Sequence, residues 1–355
     1  MKKIVIIILL LVLFLVAYGV NSLFNNSKNN TSASVSKSNI TMYFTGDVML
    51  GRNVENTLAS GENVFANVAE MFKNSDGAVI NLEDPMTTSE TAYKSTIPLK
   101  ANPVYAHILK DNNIVVACLA NNHIMDYGDK GLYDTISALN TTGVSYTGAG
   151  NNIEQASKPV YLNIKDRKIA ILNYMDNTTF TGFSASEMAA ATSSSPGYAP
   201  ADPNLIKKEI DTAKNSSDMV IVVFHYGNEY STQPNSYQVA LSHQCIDDGA
   251  DMVIGSHPHV IQPIETYNGK PIFYSLGNFV FDQSNSATHD SLMVEMDLNG
   301  STANIEVHPI VLVNYMPQLM NSANSDQLLE NLKNKSPVNM SITNGEGLIS
   351  FQLRR

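Results

Sequence analysis

The chain has 355 residues, 43% hydrophobic and 15% charged, which is the range of an ordinary globular protein able to bury a sizeable core. Its 22 Lys+Arg against 33 Asp+Glu leave a formal charge of −11, so a backbone-neutralising grip on DNA or RNA is excluded as the leading function. Only two cysteines occur, Cys118 and Cys245, each inside an apolar segment and without CxxC spacing. That excludes a small disulfide framework and points to buried thiols, with their pairing left open.

Met1-Lys2-Lys3 lead into an unbroken apolar run over residues 4–20. Residues 1–24 therefore read as a membrane anchor or signal segment. The run exceeds the usual ~7–15 residues of a signal-peptide core and reaches the lower limit of ~17–25 for a spanning helix, so a retained single-pass anchor is expected. Ala17-Tyr18-Gly19 offers small residues at cleavage-like spacing, which keeps secretion after cleavage as the alternative. The two lysines on the short leading side place the remainder outside the cytoplasm, at the cell membrane. Residues 25–39, rich in Asn, Ser, Lys and Thr, read as a flexible linker.

From residue 40 short β-type runs alternate with helix-compatible stretches, the pattern of an α/β domain over 40–320. Strands are expected at 40–44, 77–81, 115–119, 168–173, 219–224, 251–254 and 271–275. Several are continuously apolar, as strands covered on both faces should be. Helices are expected at 64–74, 130–141, 204–215 and 236–249, and two half-buried antiparallel strands at 291–298 and 303–312. Residues 177–203, rich in Ser, Thr, Ala and Gly, read as a long loop or lid, and 321–355 as a C-terminal extension packed on or trailing the domain.

Rare polar residues follow five of these strands, and in open α/β sheets ligands bind outside the carboxyl ends of strands. The groups are Thr45-Gly46-Asp47, Asn81-Leu82-Glu83-Asp84, Asn121-Asn122-His123, His225, and Ser256-His257-Pro258-His259. A set of carboxylate, amide and imidazole donors suits a divalent cation such as Mn²⁺, Fe²⁺ or Zn²⁺, one ion or two. A pair about 3.5–4 Å apart would clamp a phosphoryl oxygen. Taken singly, Asp47 or Asn122 also suits a helix cap or turn, and His225 a satisfied core histidine. Two histidines flanking a proline after an apolar strand favour ligation over packing. His107, His243, His289 and His308 lack this context and read as surface or structural.

The segments Gly46-Asp47-Val48-Met49-Leu50-Gly51-Arg52, Asn81-Leu82-Glu83-Asp84-Pro85, Ala120 to Gly128, His225 to Tyr230, Gly255 to Val260 and Tyr274 to Asp282 occur in the order of the signature blocks of the CapA/PgsA family. The chain resembles these poly-γ-glutamate capsule proteins over residues 40–283. The resemblance implies a calcineurin-like metallophosphoesterase αββα sandwich, preceded here by the N-terminal membrane helix. It further implies Asp47 and His259 on a first metal, Asn122, His225 and His257 on a second, Glu83 or Asn81 near a bridging position, and His123 as a general acid. Arg52, Glu229 and Tyr230 would bind an anion or support the site. This chain departs from the phosphoesterase pattern twice: Met49 stands where a histidine follows the first aspartate, and the Asn81/Glu83 region replaces a bridging aspartate.

For function the resemblance implies a component of capsule polymer synthesis or export. Its expected partners are the membrane, an anionic polymer, and other capsule synthesis membrane proteins. These include a separate ATP-dependent ligase, since no GxxxxGK[ST] loop is present here. A stand-alone extracytoplasmic phosphoesterase and a non-catalytic polymer-binding scaffold are the alternatives.

Overall fold

The structure, a computed structural model, describes residues 39–93, 96–178 and 188–353. The expected membrane segment and all but Asn39 of the linker lie outside the described residues. Among those described, no helix is long and apolar enough to cross a membrane.

The chain runs through β1 (Ile40–Val48), α1 (Arg52–Ala59), α2 (Ala69–Lys73), β2 (Gly77–Leu82), α3 (His107–Asp111), β3 (Ile114–Cys118), α4 (Gly128–Thr142), β4 (Ser145–Thr147), β5 (Ala149–Gly150) and α5 (Ile153–Ala156). It continues through β6 (Val160–Ile164), β7 (Arg167–Met175), β8 (Gly197–Tyr198), α6 (Pro203–Lys214), β9 (Met219–His225), α7 (Ser236–Asp248), β10 (Met252–Ser256), β11 (Ile264–Tyr267), β12 (Lys270–Phe273) and β13 (Asn278–Val280). It ends with β14 (Asp290–Asn299), β15 (Thr302–Val313), β16 (Met316–Leu319), α8 (Ser322–Asn334), β17 (Ser341–Thr343) and β18 (Glu346–Gln352).

The strands form two large sheets. One has the order β17-β18-β15-β14-β1-β2-β3-β4, with β13 added beside β1 and β16 beside β15; the other has the order β11-β12-β10-β9-β7-β6. β1 to β4 are parallel, as are β7, β9, β10 and β12, while β6, β11 and β14 to β18 pair antiparallel.

Three apolar clusters define the layers. Phe44, Val79 and Val116 of the first sheet meet Ile171, Ile221 and Ile254 of the second in one core. The opposite face of the first sheet packs on Val54, Phe72 and Leu132 from α1, α2 and α4. The outer face of the second packs on Ile206, Ile210 and Leu241 from α6 and α7. Helices thus cover both outer faces of two stacked sheets, the arrangement that βα alternation with continuous apolar strands demands. Local signals agree with it. Asp202 accepts from the amides of Asn204 and Leu205 at the start of α6, and Asn235 with Gln238 forms a capping box on α7.

Two expectations change, and the packing of the C-terminal stretch takes a specific form. The helix expected over 64–74 is confined to Ala69–Lys73; before it the chain closes turns, with the amides of Ala66 and Val68 donating to the carbonyls of Asn63 and Phe65. The described part of the segment expected as a lid is packed instead: Tyr198 and Ala199 are buried, and β8 pairs with β5; residues 179–187 lie outside the description. In the C-terminal stretch, β18 runs antiparallel to β15 from Thr302↔Gln352 to Val307↔Gly347 and so extends the first sheet.

Candidate metal centre

Side-chain parity along the strands decides which residues reach the rim between the sheets. In β9, Met219, Ile221 and Val223 face the first sheet, so His225 at the strand end points the same way. In β10, Met252 and Ile254 do so, which carries Ser256 to that side; in β2, Val79 does so, which carries Asn81. In β1 the inward residues are Ile40, Met42 and Phe44, and unbroken parity would send Asp47 to the helix layer. A register shift between Phe44 and Asp47 in the β1–β2 pairing resets it, and Asp47 lies opposite Asn81. Gly46 permits the turn: a Cβ there would lie 1.7 Å from the carbonyl oxygen of Gly277, whose oxygen accepts the amide of Asp47.

The side chains delivered this way interlock. Asn81 Nδ2 donates to Asp47 Oδ1 at 2.7 Å and lies 3.3 Å from His225 Nδ1. Ser256 Oγ is also 3.3 Å from that nitrogen, and His225 Nε2 is 2.8 Å from Asn122 Oδ1. Asp47 Oδ2 accepts the backbone amide of His257 at 3.2 Å and lies 3.3 Å from His259 Nδ1. Glu83 Oε1 is 3.8 Å from both His259 Nε2 and His123 Nε2. The rings of His225 and His257 are 4.7 Å apart. Both His257 (φ 97) and His259 (φ 59) hold backbone conformations that L residues seldom adopt.

All six residues expected as ligands, Asp47, Glu83, Asn122, His225, His257 and His259, are buried and meet at this rim. Donor atoms of Asp47, Glu83 and His259 lie within 4.8 Å of one another, as do those of Glu229, His257 and His259. Asn122 Oδ1 and His225 Nε2, 2.8 Å apart, share a hydrogen bond that sets the amide and the imidazole side by side. Burial alone would drive the His259 imidazole to its neutral form, but the Glu83 and Asp47 carboxylates with the Asn278 amide raise it to about 9. Asn81 Oδ1 is buried without a hydrogen-bond partner. Clustered carboxylates that hold a proton on buried imidazole, with an amide oxygen left over, fit a divalent cation in oxygen and nitrogen ligands. Met49 sits in the apolar core of the first sheet and offers nothing to the centre.

His123, expected as the proton donor, has its Nδ1 2.7 Å from Asp126 Oδ2, which also accepts the amide of Leu99, and its other nitrogen faces Glu83. Among the expected anion-binding residues, Arg52 is engaged by Asp282, with Nε 3.2 Å from Oδ2. The Tyr230 ring stands 6.1 Å from His259 and is 48% exposed, so it borders the mouth of the centre. Burial raises its phenol, Glu229 and Glu83 add to the rise, and Arg52 opposes it.

Sequence reasoning passed over the residues that hold the others. Asp126 orients His123, Asn278 Oδ1 lies 2.8 Å from His259 Nδ1, Asp282 grips Arg52, and Asn121 Oδ1 accepts the amides of His123 and Ile124. All four lie inside the recognised sequence blocks, so their position was the available signal. His308 pairs with Glu295 at 2.9 Å and His243 with Glu265 at 2.9 Å; donor atoms of His308, Glu295 and Glu306 also lie within 4.8 Å of one another, a cluster that the structural reading of His308 did not anticipate.

Comparison with known proteins agrees with the blocks. Residues 41–283 match the profile of the family described as bacterial capsule synthesis protein PGA_cap. The PGA biosynthesis protein CapA of Bacillus subtilis strain 168 is 40% identical over 274 residues, covering 75% of this chain and 70% of the relative. The capsule biosynthesis protein CapA of Bacillus anthracis is 36% identical over 295 residues, covering 80% and 70%. Among solved structures, a putative 5'-nucleotidase of Staphylococcus aureus covers 84% of this chain and 58% of its own at 14% identity and a TM-score of 0.46, a level that carries no functional argument. With the profile spanning more than half of the chain, the chain belongs to the PGA_cap family of bacterial capsule synthesis proteins.

Proposed function

We propose that the chain is a membrane-tethered, extracytoplasmic component in the synthesis or export of a poly-γ-glutamate-type capsule polymer, working through a metallophosphoesterase-like divalent cation centre. Family membership supports the polymer. The observation that carries the centre is the convergence of Asp47, Glu83 and His259 donor atoms to within 4.8 Å at the carboxyl ends of β1 and β2 and in the segment after β10. Asp47, Glu83 and His259 would hold one ion, and Asn122, His225 and His257 a second, the metal being Mn, Fe or Zn. Such ions supply Lewis acidity toward an oxygen ligand. Arg52 and Tyr230 at the mouth would orient an anionic group. The apolar run over residues 4–20 would tether the domain, and a separate ATP-dependent ligase would activate the monomer.

The test is complementation of a strain lacking the chain. Asp47→Asn and His257→Ala, inserted at wild-type levels, are expected to abolish surface polymer; polymer at wild-type amounts with both would refute a working centre.

A second reading, a phosphoesterase, is favoured by one feature: Asp126 turns His123 so that Nε2 faces Glu83, where a leaving group could take up its proton. Cleavage of a chromogenic phosphodiester by the purified full chain with Mn²⁺, lost in His123→Ala, would support it, and no turnover by the wild type would remove it.

A further inference from the structure

Two cations about 3.5–4 Å apart repel each other, so a centre that holds both is stabilised by each carboxylate placed beside them. The resemblance puts the Asn81/Glu83 region in place of a bridging aspartate; of the two, Asn81 is neutral and its Nδ2 is already engaged by Asp47 and His225. Glu83 lies toward the inner side, near His259 and His123. Glu229, exposed at the surface, has a carboxylate oxygen within 4.8 Å of a ring nitrogen of both His257 and His259.

We propose that Glu229 is a metal ligand: its carboxylate, reaching the centre from the solvent side beside His257 and His259, would supply the negative charge that a second divalent cation there needs. The inference rests on the cation centre proposed above and adds to it the residue that makes the centre dinuclear. Its basis is position. A carboxylate oxygen of Glu229 and one nitrogen from each imidazole all lie within 4.8 Å of one another. Ligand bonds of about 2.0–2.2 Å make that the span of atoms on one ion or on two neighbours.

The loop holds Glu229 there. Gly227, at φ 94, packs so closely on the Gln238 amide that a Cβ would come within 2.5 Å, and that amide is fixed in turn by Asn235 and Gln262. Three residues on, the amide of Tyr230 donates to Pro258 O at 2.8 Å, tying the loop to the residue between the two histidines. Glu229 is thus adjacent to an anchored point beside both rings. Asp47 and Glu83 are wholly buried whereas Glu229 is exposed, so an arriving cation meets Glu229 first.

The test uses the full chain purified in detergent and loaded with Mn²⁺. Wild type is expected to retain two ions after gel filtration, by elemental analysis, with the exchange-coupled paramagnetic resonance of a neighbouring pair. Glu229→Gln, which removes the charge and keeps the shape, is expected to retain one ion and give the six-line signal of isolated Mn²⁺. Glu229→Ala should do the same, and the exposed Glu62→Gln should leave both ions in place. Two coupled ions in Glu229→Gln and Glu229→Ala would overturn the role of Glu229 and leave the centre standing. A wild type that holds one ion would likewise overturn it, and one that holds none would overturn the centre itself.

Discussion

Asn81 donates its amide to Asp47 Oδ1 at 2.7 Å across the β1–β2 register, so a neutral group lies against the carboxylate where a second carboxylate would repel it. The amide quiets the metal-free site and weakens it as a ligand set. Asn81→Asp is therefore expected to move stability and affinity in opposite directions. Without metal the new charge, buried beside Asp47, should cost about 1–3 kcal/mol; Mn²⁺ affinity should rise by about tenfold or more. Thermal unfolding with EDTA and with Mn²⁺ checks both signs, and a variant destabilised in both conditions would contradict the bridging position.

Asp126 acts on the centre through His123. Its Oδ2 takes both the ring nitrogen, at 2.7 Å, and the amide of Leu99, at 2.7 Å. Asp126→Asn keeps the size and an acceptor oxygen but removes the negative charge, so the imidazole N–H is held more weakly and its orientation loosens. Polymer formation, or phosphodiester cleavage if that is the reaction, is expected to fall by about 10–100-fold with metal content unchanged. Loss of metal in this variant would instead make Asp126 part of the ligand scaffold.

How far these features were legible from the residues follows from which contacts are local. The periodicity of β9 predicts its burial on both faces and leaves His225 conspicuous at its end; the capping residues Asp202 and Asn235 mark α6 and α7. The bulge before Asp47 has no comparable sign in the one-dimensional pattern, since it is defined by what β2 places opposite. β18 was hidden for the same reason: its pairing with β15 joins residues some forty to fifty positions apart. The apolar spacing over 64–74 predicts a longer helix than forms, because burial of those side chains does not require helical hydrogen bonds. Val64, Phe65 and Val68 are buried at helical spacing, yet the chain reaches that core through turns.

The pH response of the metal-free protein should carry a signature of Asp84. Its carboxyl is buried and pushed up to about 7 by desolvation, against hydrogen bonds from the Leu50 and Gly51 amides. Because the folded value lies above the ordinary 3.8, the folded state keeps this proton longer than the unfolded chain as pH rises. The contribution is complete below about pH 4 and is lost as pH climbs through about 7, with a limiting slope of about 1.4 kcal/mol per pH unit. Urea unfolding in EDTA between pH 5 and 8 should show wild-type stability falling more steeply than that of Asp84→Asn. Parallel curves would mean that the charged carboxylate is already accommodated by the two amides.

The backbone of His257 permits a test that separates strain from ligation. At φ 97 it occupies a region that glycine enters freely and other residues enter at a cost of order 1–3 kcal/mol. Its amide donates to Asp47 Oδ2 at 3.2 Å, so the conformation brings both the main chain and the imidazole to the centre. His257→Ala and His257→Gly remove the same ring and leave nearly the same cavity beside His225, differing in the Cβ and in the entropy of the unfolded chain. At an ordinary position the alanine variant would be the more stable by about 0.4–1 kcal/mol. Here the order should invert, with the glycine variant more stable by about 1 kcal/mol in urea unfolding with EDTA, while both fail to retain a full metal complement. An alanine variant at least as stable as the glycine one would show that the turn after β10 relaxes once the ring is gone, and that the imidazole imposes this conformation.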